Sequence, residues 1–236
     1  MCGRFSLHTP IADLQLAFKG FVFPDEVEAH YNIAPSLQIL HVAKDGERTV
    51  GTAKWGLVPF WAKDPKIGNR MINARGETLA SKPAFRDAYR NKRCLIIADG
   101  FYEWKQSGDG KTKTPMYITL TGGRPFAFAG LYDTWKQEDG EHLKTCTIIT
   151  TEPNELIADI HNRMPVILPE QAYDLWLDHD TTEAEILNGL LVPYPADEMT
   201  AHPVANTVNS PRNDVANCIE PVTITPSTDP EQLSLL

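Results

Sequence analysis

Hydrophobic residues recur along the chain with two different spacings, and each spacing predicts a type of element. Apolar positions three or four residues apart predict a short amphipathic helix over 11–18, IADLQLAF. Alternating or continuous apolar runs between turn residues predict strands. The clearest such runs cover 31–42 (YNIAPSLQILHV), 93–105 (RCLIIADGFYEWK), 125–132 (PFAFAGLY) and 144–150 (KTCTIIT).

Further helices are expected between these strands. Residues 83–93, PAFRDAYRNKR, begin with proline and end with basic residues, as helices often do. A capping-box pattern at Thr151 predicts a helix that ends near His161. By contrast, 58–77 contains two prolines and two glycines and few periodic apolar residues, which predicts a long surface loop.

The order of these elements predicts the fold class. The strands are short, mostly joined as hairpins and interleaved with helices, which is typical of an α+β fold with a largely antiparallel, barrel-like sheet. No internal repeat and no break in composition occurs before about residue 222. We therefore expect one domain over 1–222 and an unstructured tail over 223–236.

Composition adds the class of protein. With 42% hydrophobic and 22% charged residues the chain is of the ordinary globular kind. No run approaches 18 apolar residues and no signal-like segment starts the chain, so we expect neither membrane insertion nor export, and a cytoplasmic location. The four cysteines are widely spaced, without a zinc-ligand pattern, so neither a metal nor an organic cofactor is expected.

The net charge of −9 argues against a nucleic-acid partner, but the distribution of charge changes that conclusion. Residues 54–93 contain ten Lys and Arg against three Asp and Glu, a net of +7. Residues 151–200 contain eleven acidic residues against one arginine, a net of −10. The chain could thus present one basic groove to an anion, although an ordinary solvated surface would show the same pattern.

Cys2 is the one cysteine without an apolar run around it. If Met1 is removed, Cys2 carries a thiol and a free α-amine on adjacent carbons, and that amine has a reference pKa of about 7.7–8.0. The amine can attack an aldehyde to give a Schiff base, and the thiol can then close a five-membered thiazolidine. Such a residue is suited either to aldehyde capture or to acyl transfer with its own amine as base.

Three other residues could assist this chemistry. Glu103 follows an apolar strand between two aromatic residues, where burial would raise its pKa toward the acid/base range, although a solvent-facing glutamate fits as well. His161 follows an amphipathic helix and could move protons or be purely structural. Asn73, in INARGE, offers a neutral hydrogen-bond donor and acceptor.

Residues of the basic 54–93 segment could contact DNA. Arg75 offers a planar fork for a phosphate. Trp61 and Phe60 lie in the predicted loop and could stack on nucleobases, although aromatic side chains more often cover a core.

Taken together, these motifs resemble one family. The segments MCGRF, YNIAP, WGLVPFW, INARGET, ADGFYEWK, IHNRMPVIL and HPVANTVN recur in this order in the SOS-response-associated peptidase family, the abasic-site processing proteins. The resemblance spans roughly residues 2–220. It implies a single α+β domain that binds single-stranded DNA with an abasic site and traps the ring-opened sugar aldehyde on Cys2 as a thiazolidine.

The resemblance also implies roles for individual residues. Cys2 would be the nucleophile, Asn73 would position its amine or thiol, Glu103 would be the acid/base, and His161 would assist proton transfer and reversal. The expected DNA contacts are three phosphate-binding arginines and one stacking or wedge residue, namely Arg4, Arg75, Arg163 and Trp61. Removal of Met1 by the protein's own active site and lyase action on the abasic site are likewise implied, by a monomer that acts on the nucleoid.

Two other functions remain compatible with the start of the chain. Glutamine amidotransferases with an N-terminal cysteine also begin MCG, and there the thiol would hydrolyse glutamine. A non-catalytic reader of damaged or modified DNA would need no covalent bond. The first predicts DNA-independent release of ammonia, and the second predicts full DNA binding after Cys2→Ala.

Overall fold

The computed structural model describes residues 2–43 and 48–223. The strands, in chain order, are β1 (Phe5–Leu7), β2 (His30–Ile33), β3 (Gln38–Ala43), β4 (Val50–Trp55), β5 (Asn73–Arg75), β6 (Arg93–Ala98), β7 (Gly100–Gln106), β8 (Lys113–Leu120), β9 (Phe126–Lys136), β10 (His142–Thr151), β11 (Met164–Pro165), β12 (Ile167–Leu168) and β13 (Met199–Pro203). The α-helices are α1 (Ile11–Ala17), α2 (Arg86–Asn91), α3 (Glu155–Ala158), α4 (Tyr173–Leu177) and α5 (Ala184–Gly189). A 3₁₀-helix covers Pro65–Arg70 and shorter ones lie in the connections.

Five strands close into a barrel. Their order is β10-β4-β3-β6-β9, and β9 pairs again with β10 to complete the ring. All of these pairings are antiparallel except β10 with β4. The short strands β5, β11 and β12 extend the sheet beside β10 and β9, and β5 runs parallel to β10. Closure leaves few open strand edges in this part of the molecule.

A second, antiparallel sheet carries the two segments on which the site depends. Its order is β13-β8-β7-β1-β2. Phe5 in β1 pairs with Phe101 in β7 on one side and with Ile33 in β2 on the other. The start of the chain is therefore fixed between two strands from distant parts of the sequence.

The hydrophobic core fills the barrel and continues between it and the second sheet. Phe5 packs edge-on against Trp55 of β4 and Phe128 of β9, at ring-centroid distances of 5.2 and 5.9 Å. Every residue of β6 is buried, which is why its sequence reads as a continuous apolar run rather than an alternating one. Arg93, the polar exception in this strand, donates to backbone carbonyls that include Tyr89 O in α2 and Trp176 O in α4.

The α+β class and the barrel-like sheet are confirmed, and so is the helix over 11–17. The prediction of one long loop over 58–77 is wrong in its second half, which holds the 3₁₀-helix and β5. A tight approach of two glycines shapes this segment: a Cβ built on Gly68 would lie 2.6 Å from Gly56 O. The three residues of β5 are too few to produce a periodic pattern.

The helix predicted from Thr151 is also shorter than expected. Thr151 ends β10, and the residue that caps α3 is Asn154, whose side chain accepts a hydrogen bond of 2.9 Å from Ile157 N. The helix makes one turn before the chain reaches His161. Most of the predicted tail over 223–236 lies outside the described residues, and the domain bounds of 1–222 stay a prediction.

Candidate functional site

Cys2 lies three residues before the start of β1 and is completely buried. Its Sγ lies 3.8 Å from the backbone oxygen of Arg4. Its carbonyl oxygen accepts a hydrogen bond of 2.7 Å from Asn73 Nδ2. Asn73 begins β5 and is paired in register with Ile148 of β10. The parallel β5–β10 ladder thus holds the carboxamide against the backbone of the candidate nucleophile.

Glu103 approaches Cys2 from β7. It lies opposite Met116 of β8, and its side chain is 4% exposed. Burial raises the pKa of Glu103, because a carboxylate is poorly solvated there, while the nearby His161 acts in the opposite direction. A raised pKa brings this group closer to the range in which it can both accept and donate a proton.

His161 completes the group from the loop after α3. Its Nε2 lies 3.9 Å from Glu103 Oε2. The backbone N–H of Arg163 donates to His161 Nδ1 at 3.1 Å, which leaves the proton of a neutral imidazole on Nε2, facing Glu103. When the ring is protonated, Nδ1 can donate instead to Arg163 O at 3.2 Å. Both charge states of His161 therefore have a partner at Nδ1.

We call Cys2, Asn73, Glu103 and His161 the Cys2 cluster. Burial raises the pKa of the Cys2 thiol strongly, and the negative charge of Glu103 raises it further. The thiol is therefore neutral at physiological pH and needs a base at the moment of attack. Glu103 is the ionisable neighbour that can take this proton. The cluster combines a nucleophile, a proton acceptor and a second proton carrier in one buried place.

Arg4 does not point freely into solvent. Its Nη1 donates to Asn32 Oδ1 at 2.7 Å and to Val208 O at 2.8 Å, and its guanidinium lies 5.9 Å from the centroid of the Trp104 ring. Burial lowers its pKa. These contacts tie the start of β1 to β2 and to the segment after β13.

The other two arginines differ from each other. Arg75, two residues after Asn73, is exposed. Arg163 is held by both oxygens of Glu77 and donates to Thr150 O at 2.7 Å, and its side chain is 15% exposed. Arg163 thereby joins the loop of His161 to the segment that follows β5.

Trp61 lies in the basic segment, between β4 and the 3₁₀-helix over Pro65–Arg70. Its side chain is 48% exposed. It lines a cavity of about 510 Å³ together with Lys63, Lys66 and Arg70. Asp64 also lines this cavity, so its charged residues sum to a net positive charge, and its use as the predicted anion-binding groove stays a prediction.

Sequence reasoning missed the residues that support this site. Asn32, in YNIAP, is buried and accepts from Arg4, while its Nδ2 donates to Val208 O, Ser210 O and Asn213 O at 2.6–3.2 Å. Glu77 and Asp133 were not singled out either. The signal for Asn32 was its position in a motif, but the three carbonyl groups to which it donates lie 176 to 181 residues away, and no local pattern predicts them.

Within residues 2–43 and 48–223, no group of three or more His, Cys, Asp or Glu side chains is arranged to hold a metal ion. In the same part of the chain, no helix is long and apolar enough to cross a membrane.

Comparison with known proteins identifies relatives over nearly the whole chain. The family model for SOS response associated peptidase (SRAP) matches residues 1–211. The abasic site processing protein YoqW of Bacillus subtilis is 51% identical over 223 residues, covering 93% of this chain and 99% of YoqW. The abasic site processing protein HMCES of Gallus gallus is 36% identical, and the match covers 77% of this chain and 61% of HMCES.

Solved structures share the fold. A crystal structure of a protein from Bacteroides thetaiotaomicron superimposes with a TM-score of 0.81 at 27% identity, covering 94% of this chain and all of that one. A second, from Bordetella bronchiseptica, gives a TM-score of 0.73 at 28% identity over 86% of this chain and all of that chain.

Proposed function

The chain belongs to the SOS response associated peptidase family, and from that premise we propose that it processes abasic sites in single-stranded DNA by forming a covalent crosslink through Cys2. The observation that carries the proposal is the convergence of Asn73, Glu103 and His161 on a buried N-terminal cysteine. Two relatives of this chain, YoqW and HMCES, are named as abasic site processing proteins. This kinship also disfavours the amidotransferase alternative.

The proposed reaction begins after Met1 has been removed. The α-amine of Cys2 attacks the aldehyde carbon of the ring-opened sugar, and loss of one water gives an imine. The Cys2 thiol then adds to the imine carbon, while its proton passes through Glu103 to the nitrogen. The product is a thiazolidine, and the balance is aminothiol plus aldehyde giving thiazolidine plus water.

Each residue of the Cys2 cluster has a task in this scheme. Asn73 fixes the Cys2 backbone so that amine and thiol reach the same carbon. Glu103, with its raised pKa, accepts the thiol proton. His161, with its Nε2 toward Glu103, supplies or removes a proton as water leaves and, in the reverse direction, as the ring opens.

The same imine offers a second outcome. Removal of a proton next to the imine carbon would eliminate the 3′ phosphate and cleave the strand, which is lyase chemistry. The observation that favours it is the Glu103–His161 pair at 3.9 Å, since either group could take that proton. Ring closure by the thiol competes with this step because it consumes the imine.

Removal of Met1 is the other activity proposed for this site. Glu103 lies close enough to Cys2 to raise the pKa of its thiol, so it is also placed to act on the bond before Cys2. The intact masses of the protein and of Glu103→Gln, each purified from the same host, separate two routes. If Met1 is retained only in Glu103→Gln, the site removes it, whereas loss of Met1 from both assigns removal to a host aminopeptidase.

DNA would approach as a single strand, because a lesion inside a duplex must first leave the base stack. Arg75 and Trp61 are exposed and suited to phosphate and base contacts. Arg4 and Arg163 would contribute to DNA binding by exchanging a protein partner for a phosphate, or to the reaction by holding the residues of the Cys2 cluster in place. We propose that the protein acts as a monomer, in the cytoplasm on the nucleoid.

The test uses single-stranded DNA made abasic by uracil excision. The mature protein should give a band of lower mobility that survives boiling in detergent, and Cys2→Ser should give none. Cys218→Ser is the matched control, because Cys218 is also fully buried but lies in a separate hydrophobic cluster. Failure of wild type to crosslink, or crosslinking by Cys2→Ser, would overturn the proposal.

A further inference from the structure

The loop over residues 58–62 is fixed to the β9–β10 hairpin at every second residue. The three hydrogen bonds run from Val58 N to Thr145 Oγ1 (2.8 Å), from Phe60 N to Asp133 Oδ2 (2.8 Å) and from Trp135 Nε1 to Ala62 O (2.7 Å). Thr145 and Asp133 are buried. A loop held in this way has a defined shape, although it lies at the surface.

This fixed loop exposes two neighbouring aromatic rings. Phe60 is 55% exposed and Trp61 is 48% exposed. Single exposed apolar residues are common, but two large rings on a rigid loop beside a basic cavity are the arrangement that proteins use to stack nucleobases. Trp61 already has a proposed role, whereas Phe60 has none in the scheme above.

Asp133 links Phe60 to a cation. Its side chain is 6% exposed, and its Oδ1 accepts from Lys92 Nζ at 2.5 Å and from Thr134 N at 2.8 Å. Lys92 Nζ in turn lies 5.6 Å from the centroid of the Phe60 ring. One buried carboxylate therefore fixes both the backbone of Phe60 and the ammonium group beside its ring.

The position of the loop suits a DNA strand that passes the Cys2 cluster. Val58 is bonded to Thr145, which precedes Ile148 by three residues on β10, and Ile148 is the register partner of Asn73. Three residues of a β-strand span about 10 Å. A nucleotide near Phe60 would thus lie a few positions along the DNA from the nucleotide bound at Cys2.

We propose that Phe60, with Lys92 beside its ring, is a second base-stacking subsite, which takes an unmodified nucleotide on one side of the abasic site, and that Asp133 is its positioning residue. This inference rests on the proposed function. Its occupant is single-stranded DNA rather than a protein, because Lys63, Lys66 and Arg70 outweigh Asp64 in the cavity beside Trp61 and leave it positively charged.

The experiment compares Phe60→Ala with wild type on abasic oligonucleotides whose flanks are extended one nucleotide at a time. For wild type, the DNA concentration that gives half-maximal crosslinking should fall when the flank reaches the subsite. For Phe60→Ala, the decrease in this concentration on adding the flanking nucleotide should be smaller by a factor of at least about five. That factor is the lower end of the loss in affinity when one base–aromatic stack is removed. Phe60→Trp should restore the decrease, and Leu16→Ala, at an apolar residue of α1 that is 67% exposed, should behave as wild type.

A fluorescent base analogue gives an independent readout. Placed at successive positions beside a tetrahydrofuran abasic analogue, which sets the register but has no aldehyde and cannot crosslink, 2-aminopurine should be quenched on stacking at one position, and Phe60→Ala should restore its fluorescence there alone. Asp133→Asn should weaken the quenching, and adding it to Phe60→Ala should have no further effect if Asp133 acts only through the loop. A simple loss of stability would not confine the change in fluorescence to one position. It would also not make the effects of the two substitutions non-additive.

The outcomes are separable from those of the proposed function. If wild type quenches 2-aminopurine but never crosslinks, the subsite stands and the proposed reaction fails. If wild type crosslinks and Phe60→Ala matches it at every flank length and every fluorescent position, the subsite is overturned. It is also overturned if Phe60→Ala changes only the self-association of the protein in sedimentation, which would make the rings a contact between copies.

Discussion

The carboxamide of Asn73 donates a hydrogen bond of 2.7 Å to the carbonyl oxygen of Cys2, across 71 residues of sequence. It joins the start of the chain to the parallel β5–β10 ladder. The bond reaches the backbone of Cys2 and leaves its thiol and amine available for chemistry. Positioning of this kind affects the reaction more than it affects the stability of the fold.

Replacing Asn73 should therefore separate rate from stability. Asn73→Ala should lower the free energy of unfolding by about 1 kcal/mol, the usual contribution of one hydrogen bond. It should slow crosslinking about a hundredfold, because a small misplacement of a reacting group has a large effect on rate. Single-turnover crosslinking and urea unfolding measure the two effects. Asn91→Ala, at an exposed asparagine, is the control, and an unchanged crosslinking rate in Asn73→Ala would contradict the role.

Glu103 should make both rate and stability depend on pH. If its carboxylate is the base, crosslinking should rise with pH through the raised pKa, and Glu103→Gln should lose that rise. The stability of the fold should change in the opposite direction. When the pKa of a carboxyl group is higher in the folded state, the free energy of unfolding decreases as pH rises from the unfolded pKa to the folded pKa.

Glu103→Gln should consequently gain stability over wild type as pH rises from the unfolded pKa of a glutamate, about 4.3, through the raised pKa of the folded state, while it loses activity. Thermal unfolding of both proteins across this range measures the difference. An equal difference at all pH values would show that Glu103 is not perturbed in the way its burial requires.

Asp99 should show the reverse dependence. It is buried, which opposes ionisation, but hydrogen bonds from His8 and Ser6 lower its pKa below the ordinary value. Its stabilising effect is present above the unfolded pKa, about 3.9, and is lost as pH falls through the folded pKa. Asp99→Asn should reduce the free energy of unfolding at pH 7 by about 3 kcal/mol and much less near pH 2. Denaturant unfolding at both pH values checks this, and equal losses would contradict it.

Arg75 should contribute a phosphate contact. Binding of single-stranded DNA should weaken with salt, and Arg75→Gln should reduce the slope of log affinity against log salt by about 0.7, the value for one phosphate on a single strand. Lys19→Gln, after α1 and outside the basic segment, should leave the slope unchanged. Fluorescence anisotropy at several salt concentrations measures it. An unaltered slope for Arg75→Gln would remove this residue from the interface.

Local patterns in the sequence predicted the parts of the fold that they control. The apolar run of β6 and the spacing in α1 gave correct elements, because burial and amphipathicity leave a direct trace in sequence. The prediction for the second half of the 58–77 segment was wrong, since β5 is held by pairing with residues of β10 that lie 75 positions further on, and the segment before it by the contact of Gly56 with Gly68. Such long-range contacts have no local signature.

The candidate site shows the same division. Cys2, Asn73, Glu103 and His161 were all singled out from their chemistry and motifs, and the structure brings them together. Two supporting contacts were not predicted: the ion pair of Arg163 with Glu77 and the hydrogen bond from Phe60 N to the Asp133 side chain. Both join residues that are distant in the sequence and meet only after folding. The sequence identified reactive groups, whereas the groups that position them became visible only in three dimensions.

The central claim is that Cys2 traps the aldehyde as a thiazolidine, and the intact mass of the adduct tests it most directly. After reaction with abasic single-stranded DNA, and without any reducing agent, the mass should equal that of the protein lacking Met1 plus the oligonucleotide minus one water. The absence of an adduct, its appearance only after borohydride treatment, or an adduct that retains Met1 would contradict the account.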